Sequence, residues 1–152
     1  MSLINLGNHL FKKAIPSDCD IVFVSDMFAE DYPGGAELTT QALLDSSPFK
    51  VFKLKSKDLD LEALNQGHQK FWIFGNFANL DYRLIPTICA NIKYAVLEFD
   101  FKLCKYRSPE KHLNIEQVPC DCHDQASGKL VSAFMYAAKS IWWMSEKQQA
   151  TY

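Results

Sequence analysis

One stretch of the chain concentrates donor atoms suited to a metal ion. Cys104, Cys120, Cys122 and His123, with His112 between them, lie in "FDFKLCKYRSPEKHLNIEQVPCDCHD", and thiolates and imidazoles are the ligands that structural zinc takes in fours. A metal would also give such a segment the means to order itself with little core of its own. The spacing is not the usual Cys-x-x-Cys pair. Three states of these cysteines therefore stay open: a structural zinc, reduced free thiols, or a disulfide from Cys104 to Cys120 or Cys122. The five cysteines of the chain are an odd number, so complete intramolecular pairing is impossible. The same stretch gathers Lys102, Lys105, Arg107 and Lys111 beside Tyr106. These charges can meet a phosphate or an acidic sugar, or simply face solvent.

A second constellation stands earlier, in "SDMFAEDYPGGAELTTQ", where Pro33, Gly34 and Gly35 lead from an apolar run into a helical pattern. Glycines let a backbone approach a ligand closely, and the unpaired N–H groups and dipole of a helix N-terminus favour an anion. A Gly-Gly pair also makes a plain tight turn. The stretch has neither G-x-G-x-x-G spacing nor a G-K-[ST] ending, which disfavours NAD binding and ATP hydrolysis. Glu37 complements the positive end of the helix. Asp26, Glu30 and Asp31 place acids near the loop, where they repel phosphate unless turned toward sugar hydroxyls or solvent.

These residues need elements to hold them, and the sequence supplies an alternating set. Apolar runs at residues 19–26, 49–56, 70–77 and 93–101 read as strands, the first buried on both faces and the second, alternating with lysine, nearer a sheet edge. Helical patterns follow at 36–47, 58–67 and 80–92, the last with Pro86 inside it or at its end. Residues 102–127 fit neither periodicity and read as an irregular insertion. A helix follows Gly128, then a short fifth strand, "SIWWMS", and a last helix from Glu146. Adjacent Trp142 and Trp143 would face opposite sides of that strand, so at least one belongs to the core; the other could stack on a sugar ring. The N-terminal "SLINLGNHLFKKA" fits a short amphipathic helix or an extended arm. Strands alternating with helices imply one α/β domain over residues 1–152, a Rossmann-like parallel sheet of about five strands with helices on both faces. Ligands of such sheets collect at the carboxyl ends of the strands.

Composition narrows the partners. The chain has 152 residues, 48% hydrophobic and 22% charged, with a formal net charge of -2. That balance and the lack of a basic run argue against a nucleic-acid partner. No stretch is long and apolar enough to span a membrane, and the start lacks the order of a signal peptide, so a cytoplasmic location is expected.

"VSDMFAEDYPGGAELTTQALL" resembles the opening of the N-terminal domain of GT-B glycosyltransferases in the large retaining group that uses nucleotide sugars, where "GGAE" (here Gly34 to Glu37) is a common form. The likeness extends more weakly through the chain to "SIWWMSEKQ". It implies an acceptor-side domain whose glycine loop lies beside the donor phosphates, so that Gly34, Gly35, Glu37 and Asp26 face the donor. Ser145 and Glu146 hold the place near the acceptor cleft. Ser145 with Gln148 also makes an ordinary helix cap. By the same likeness, the partners are a nucleotide sugar and a glycan or other hydroxyl acceptor, and the transfer requires no metal cofactor. The C-terminal domain that holds most of the nucleotide is absent from the sequence. The chain is then a truncated frame or half of a two-chain enzyme, with little activity alone. The rival reading is a non-catalytic binding module, stabilised by zinc.

Overall fold

The computed structural model describes residues 14–152. The N-terminal segment, Ala14 apart, lies outside the described residues. Five parallel strands form one sheet: β1 (Ile21–Ser25), β2 (Val51–Lys55), β3 (Phe71–Phe74), β4 (Lys93–Glu98) and β5 (Ser140–Trp143). Their order is β2-β1-β3-β4-β5. The α/β, Rossmann-like reading of the sequence is the architecture the chain adopts. The order reverses between β1 and β3, which pair directly, and in open sheets this switch point opens a crevice beyond the carboxyl ends of the strands.

Side-chain alternation divides the sheet into two apolar layers. Val22, Val24, Trp72, Phe74, Tyr94 and Val96 point into the larger core, where they meet Leu64 of α2 (Leu61–Gln66), Ile85 and Ile88 of α3 (Ile85–Asn91), and Val131 and Phe134 of α5 (Ala126–Ala137). Phe23, Ile73 and Leu97 point the other way, and Leu44 of α1 (Gly35–Ser46) packs on them. Helices thus flank both faces. The larger core is rich in rings: Phe134 lies edge-on to Phe74 at 5.1 Å and stacks on Tyr94 at 4.7 Å, a geometry that adds to area burial. The Tyr94 hydroxyl donates to the Phe134 carbonyl at 2.5 Å, which satisfies both buried groups.

Local chemistry sets the element ends. Asp60 caps α2 by accepting from the Ala63 N–H at 2.9 Å. Pro86 occupies the first turn of α3, where its missing N–H costs nothing. β2 is an edge strand, as its alternation implied, and its lysines reach acids of the preceding loop: Lys53 to Glu30 at 3.0 Å and Lys55 to Asp31 at 2.6 Å. In β5, Trp143 packs against the larger core while Trp142 stays 39% exposed.

Residues 102–127 are not an irregular excursion. They contain α4 (Pro109–Glu116), a 3-10 turn at Cys122–Asp124 and the first residues of α5. Periodicity missed α4 for a physical reason. Its one buried side chain is His112, while Leu113 and Ile115 are exposed, so the face it turns inward is polar. Start signals were present all the same: Ser108 accepts from the Lys111 N–H at 3.2 Å, and Pro109 stands at the first helical position.

Candidate metal centre

Cys104, His112, Cys120 and Cys122 converge. Their ligand atoms all lie within 4.8 Å of one another, with the Cys120 side chain half-buried and the other three buried. His112 Nδ1 is 3.6 Å from Cys104 Sγ and 3.5 Å from Cys122 Sγ. A tetrahedral zinc with bonds of about 2.3 Å to sulfur and 2.05 Å to nitrogen separates those donors by about 3.5 Å. All five cysteines are unbridged, so the disulfide reading is not the state observed. His123 is corrected. It is exposed, with Nε2 3.2 Å from Asp124 Oδ2, and His112 is the fourth member of the group.

Three local devices bring the donors together. After β4 the chain closes a turn in which the Arg107 N–H donates to the Cys104 carbonyl at 2.8 Å and the Tyr106 N–H to Cys104 Sγ at 3.4 Å. Arg107 completes the turn in the left-handed region, at φ 61°. Next, α4 carries His112 back over both sulfurs and stops at Gln117, also left-handed at φ 59°. Finally the Cys122–Asp124 turn is pressed against α5. Burial pushes the Cys120 thiol up to about 11, with the Cys122 N–H pulling against it, so the metal-free thiol holds its proton at neutral pH. A bound cation reverses that preference.

Gly128 permits the last of these contacts. A Cβ there would fall on the Cys122 carbonyl oxygen and within 2.8 Å of the carbonyl carbon and of His123 Cα, all backbone. Gly128→Ala is expected to lift the ligand turn off α5, costing about 1–3 kcal/mol as overpacking and weakening metal binding roughly 10–100-fold. Competition with a chromophoric chelator measures the second effect.

Directly beside the cysteine loop, the carboxyl end of β4 holds a buried charge network that the sequence did not reveal. Glu98 and the Lys102 side chain are fully buried, 2.5 Å apart. Lys102 Nζ is also 3.3 Å from Asp100 and 5.5 Å above the Phe77 ring. Tyr152 closes the network, donating to Glu98 Oε2 at 2.5 Å and accepting from the Lys102 N–H at 2.8 Å. Arg107 lies over the same Phe77 ring at 5.7 Å and donates to the Tyr82 hydroxyl at 3.3 Å. Burial pushes the Glu98 carboxyl up, and Lys102 pulls against it. Thus Lys102 is a core residue, and Lys105 is paired with Glu116 at 2.8 Å; Lys111 is exposed. A signal existed: Glu98 shares its strand face with Tyr94 and Val96, and Lys102 follows four residues later.

The other sequence candidates are placed as follows. Gly34 caps α1 and Gly35 begins it, at the carboxyl end of β1. The Gly34 N–H donates to the Tyr32 carbonyl at 3.0 Å, and the Glu37 carboxylate lies so close that a Cβ at Gly34 would stand 2.5 Å from it. Asp26 accepts from Ser56, from the Ala78 N–H at 2.8 Å and from the Asn79 N–H at 3.0 Å, which ties β1 to the loop after β3. Ser145 caps α6 (Glu146–Thr151), accepting from the Gln148 N–H at 3.1 Å, while Gln148 accepts from the Met144 N–H at 2.8 Å. Glu146 is exposed in the first turn of α6. The metal cluster and the glycine loop are separate constellations along the chain.

No known protein family, curated protein or solved structure matches the chain. Among the described residues no helix is long and apolar enough to cross a membrane.

Proposed function

We propose that this chain is a zinc-tied, Rossmann-like domain forming the acceptor side of a nucleotide-sugar glycosyltransferase. The observation that carries the zinc is the convergence of three sulfurs and one imidazole nitrogen within 4.8 Å of one another, with the nitrogen 3.6 Å and 3.5 Å from two of the sulfurs. That donor set selects zinc over the harder divalent ions. Four protein ligands leave no open position for substrate, so the ion's role is to order residues 104–122. Sugar transfer itself calls on no metal in this reading. When bound, zinc supplies cross-linking free energy, and the chain's own residues supply the site.

The glycosyltransferase part rests on the "GGAE" resemblance together with the position of Gly34, which caps α1, and Gly35, which begins it, after β1 and beside the switch point of the sheet. Asp26 stands just after β1 and Glu37 in the first turn of α1, on either side of that loop, and Ser145 and Glu146 stand at the start of α6, after the last strand. The transfer would pass a sugar from its nucleotide to a hydroxyl acceptor, with a second domain holding the donor from the other side. The isolated chain is therefore expected to turn over poorly, because transition-state stabilisation needs both walls of the cleft. The test is titration of the zinc-loaded chain with a panel of nucleotide sugars, together with reading of the coding sequence past Tyr152. Saturable binding, or an in-frame second Rossmann-like domain, supports the reading. Stoichiometric zinc with neither supports the rival, a non-catalytic zinc-stabilised binding module.

A further inference from the structure

We propose that Cys120 is a site of oxidative modification, at which a hydroperoxide converts the metal centre into a Cys104–Cys120 disulfide and expels the ion. The inference rests on the zinc reading above and is independent of sugar transfer. Its basis is an asymmetry within the cluster. Cys104 is 1% exposed and Cys122 5% exposed, whereas Cys120 is half-buried, so one sulfur of the three is open to a solvent-borne oxidant. Outside the cluster, Cys19 is buried, and Cys89 is half-buried with its sulfur 3.6 Å from the Tyr94 hydroxyl. Neither has a second thiol of the cluster's kind to resolve an oxidised sulfur. A metal-bound cysteine is held as thiolate, the nucleophilic form, and exposure selects which thiolate is attacked first.

The chemistry balances with the peroxide as sole oxidant. The Cys120 thiolate attacks one peroxide oxygen, the O–O bond breaks, and hydroxide leaves, giving a sulfenic acid. The Cys104 thiolate then attacks the Cys120 sulfur, forming the S–S bond and expelling a second hydroxide. Two thiolates lose two electrons, the peroxide gains them, and the two hydroxides take up two protons as water. Cys104 is the resolving thiol because it comes from a separate turn with its Sγ within 4.8 Å, whereas a Cys120–Cys122 bond would close a small strained ring across one intervening residue. Zinc left with Cys122 and His112 alone has lost half its ligands and dissociates. The disulfide open from sequence is then the oxidised state of the same centre.

Oxidation of the zinc-loaded full chain by hydrogen peroxide tests this, with released zinc followed by a chromophoric chelator and cysteines mapped by mass spectrometry. The expected result is one zinc released per two thiols lost, with Cys104 linked to Cys120. Cys120→His keeps four ligands while removing the accessible thiolate, and is expected to slow release at least tenfold. Thermal melting of the loaded variant verifies its fold. Equal release rates in wild type and C120H, or first oxidation at Cys19, Cys89 or Cys122, overturns the proposal while leaving the zinc reading intact. Protein that carries no zinc as purified overturns both.

Discussion

Chelating the metal will melt the segment from Cys104 to Asp124 while leaving the sheet folded. Structural zinc contributes roughly 10–16 kcal/mol in small metal-folded peptides, comparable to or larger than the roughly 5–15 kcal/mol that holds a whole domain. This segment has little else to hold it. Beyond the ligands, α4 buries no side chain, and Leu113, Ile115 and Val118 are all exposed. The loss therefore takes the local route, detachment of the loop, rather than global unfolding. Hydrogen exchange should show the Arg107, His112, Gln117 and Asp124 amides, whose bonds are made within the loop, exchanging freely after chelation. Val24, Phe74 and Val96, paired between strands, should stay protected. A loss of roughly 3 kcal/mol would lower the melting temperature by about 10 °C. Protection at His112 unchanged by chelator would contradict the account.

Lys102→Met is expected to cost about 3–5 kcal/mol at neutral pH, because it leaves the fully buried Glu98 carboxylate without its cation. Part of that loss should return on acidification. Burial holds the Glu98 carboxyl above its ordinary value of 4.5, against the pull of Lys102. The folded chain thus keeps this proton to higher pH than the unfolded chain does. The group's contribution to stability is most favourable below 4.5 and is lost as pH rises through the raised folded value. Removing Lys102 removes the opposing pull, so in the variant the decline becomes larger and extends to higher pH. Urea unfolding at about pH 5 and pH 8 reads the difference, and a Glu98→Gln, Lys102→Met double variant should recover much of the loss at both. A single variant equally unstable at the two pH values would show that Glu98 is not the group responsible.

How far the sequence could be read depended on what each element buries. β1, β3 and β4 announced themselves because two buried faces demand unbroken apolar runs, and β2 because an edge strand alternates. α4 was invisible to the same test, since its inward residue is a histidine whose reason for burial is two cysteines distant in the chain. Three of the four converging donors were legible as residue types. The fourth was not, because choosing between His112 and His123 requires knowing that α4 turns one toward the sulfurs and that the Cys122–Asp124 turn points the other to solvent. The Glu98–Lys102 pair escaped for a related reason: a charged residue closing an apolar run reads as the strand's wet end until a second element covers it, here Tyr152 from the end of α6. The glycine pair was legible as the junction of the first strand with the first helix, where Gly34 caps α1 and Gly35 begins it, because that junction is set by residues adjacent in the chain.

X-ray absorption at the zinc edge, on protein purified without chelator and quantified for metal, tests the central claim most directly. The account predicts one zinc per chain, with three sulfurs at about 2.3 Å and one nitrogen at about 2.0 Å, lost in His112→Ala and retained in His123→Ala. Metal-free protein with five titratable thiols, or a centre that survives His112→Ala and disappears in His123→Ala, would contradict it.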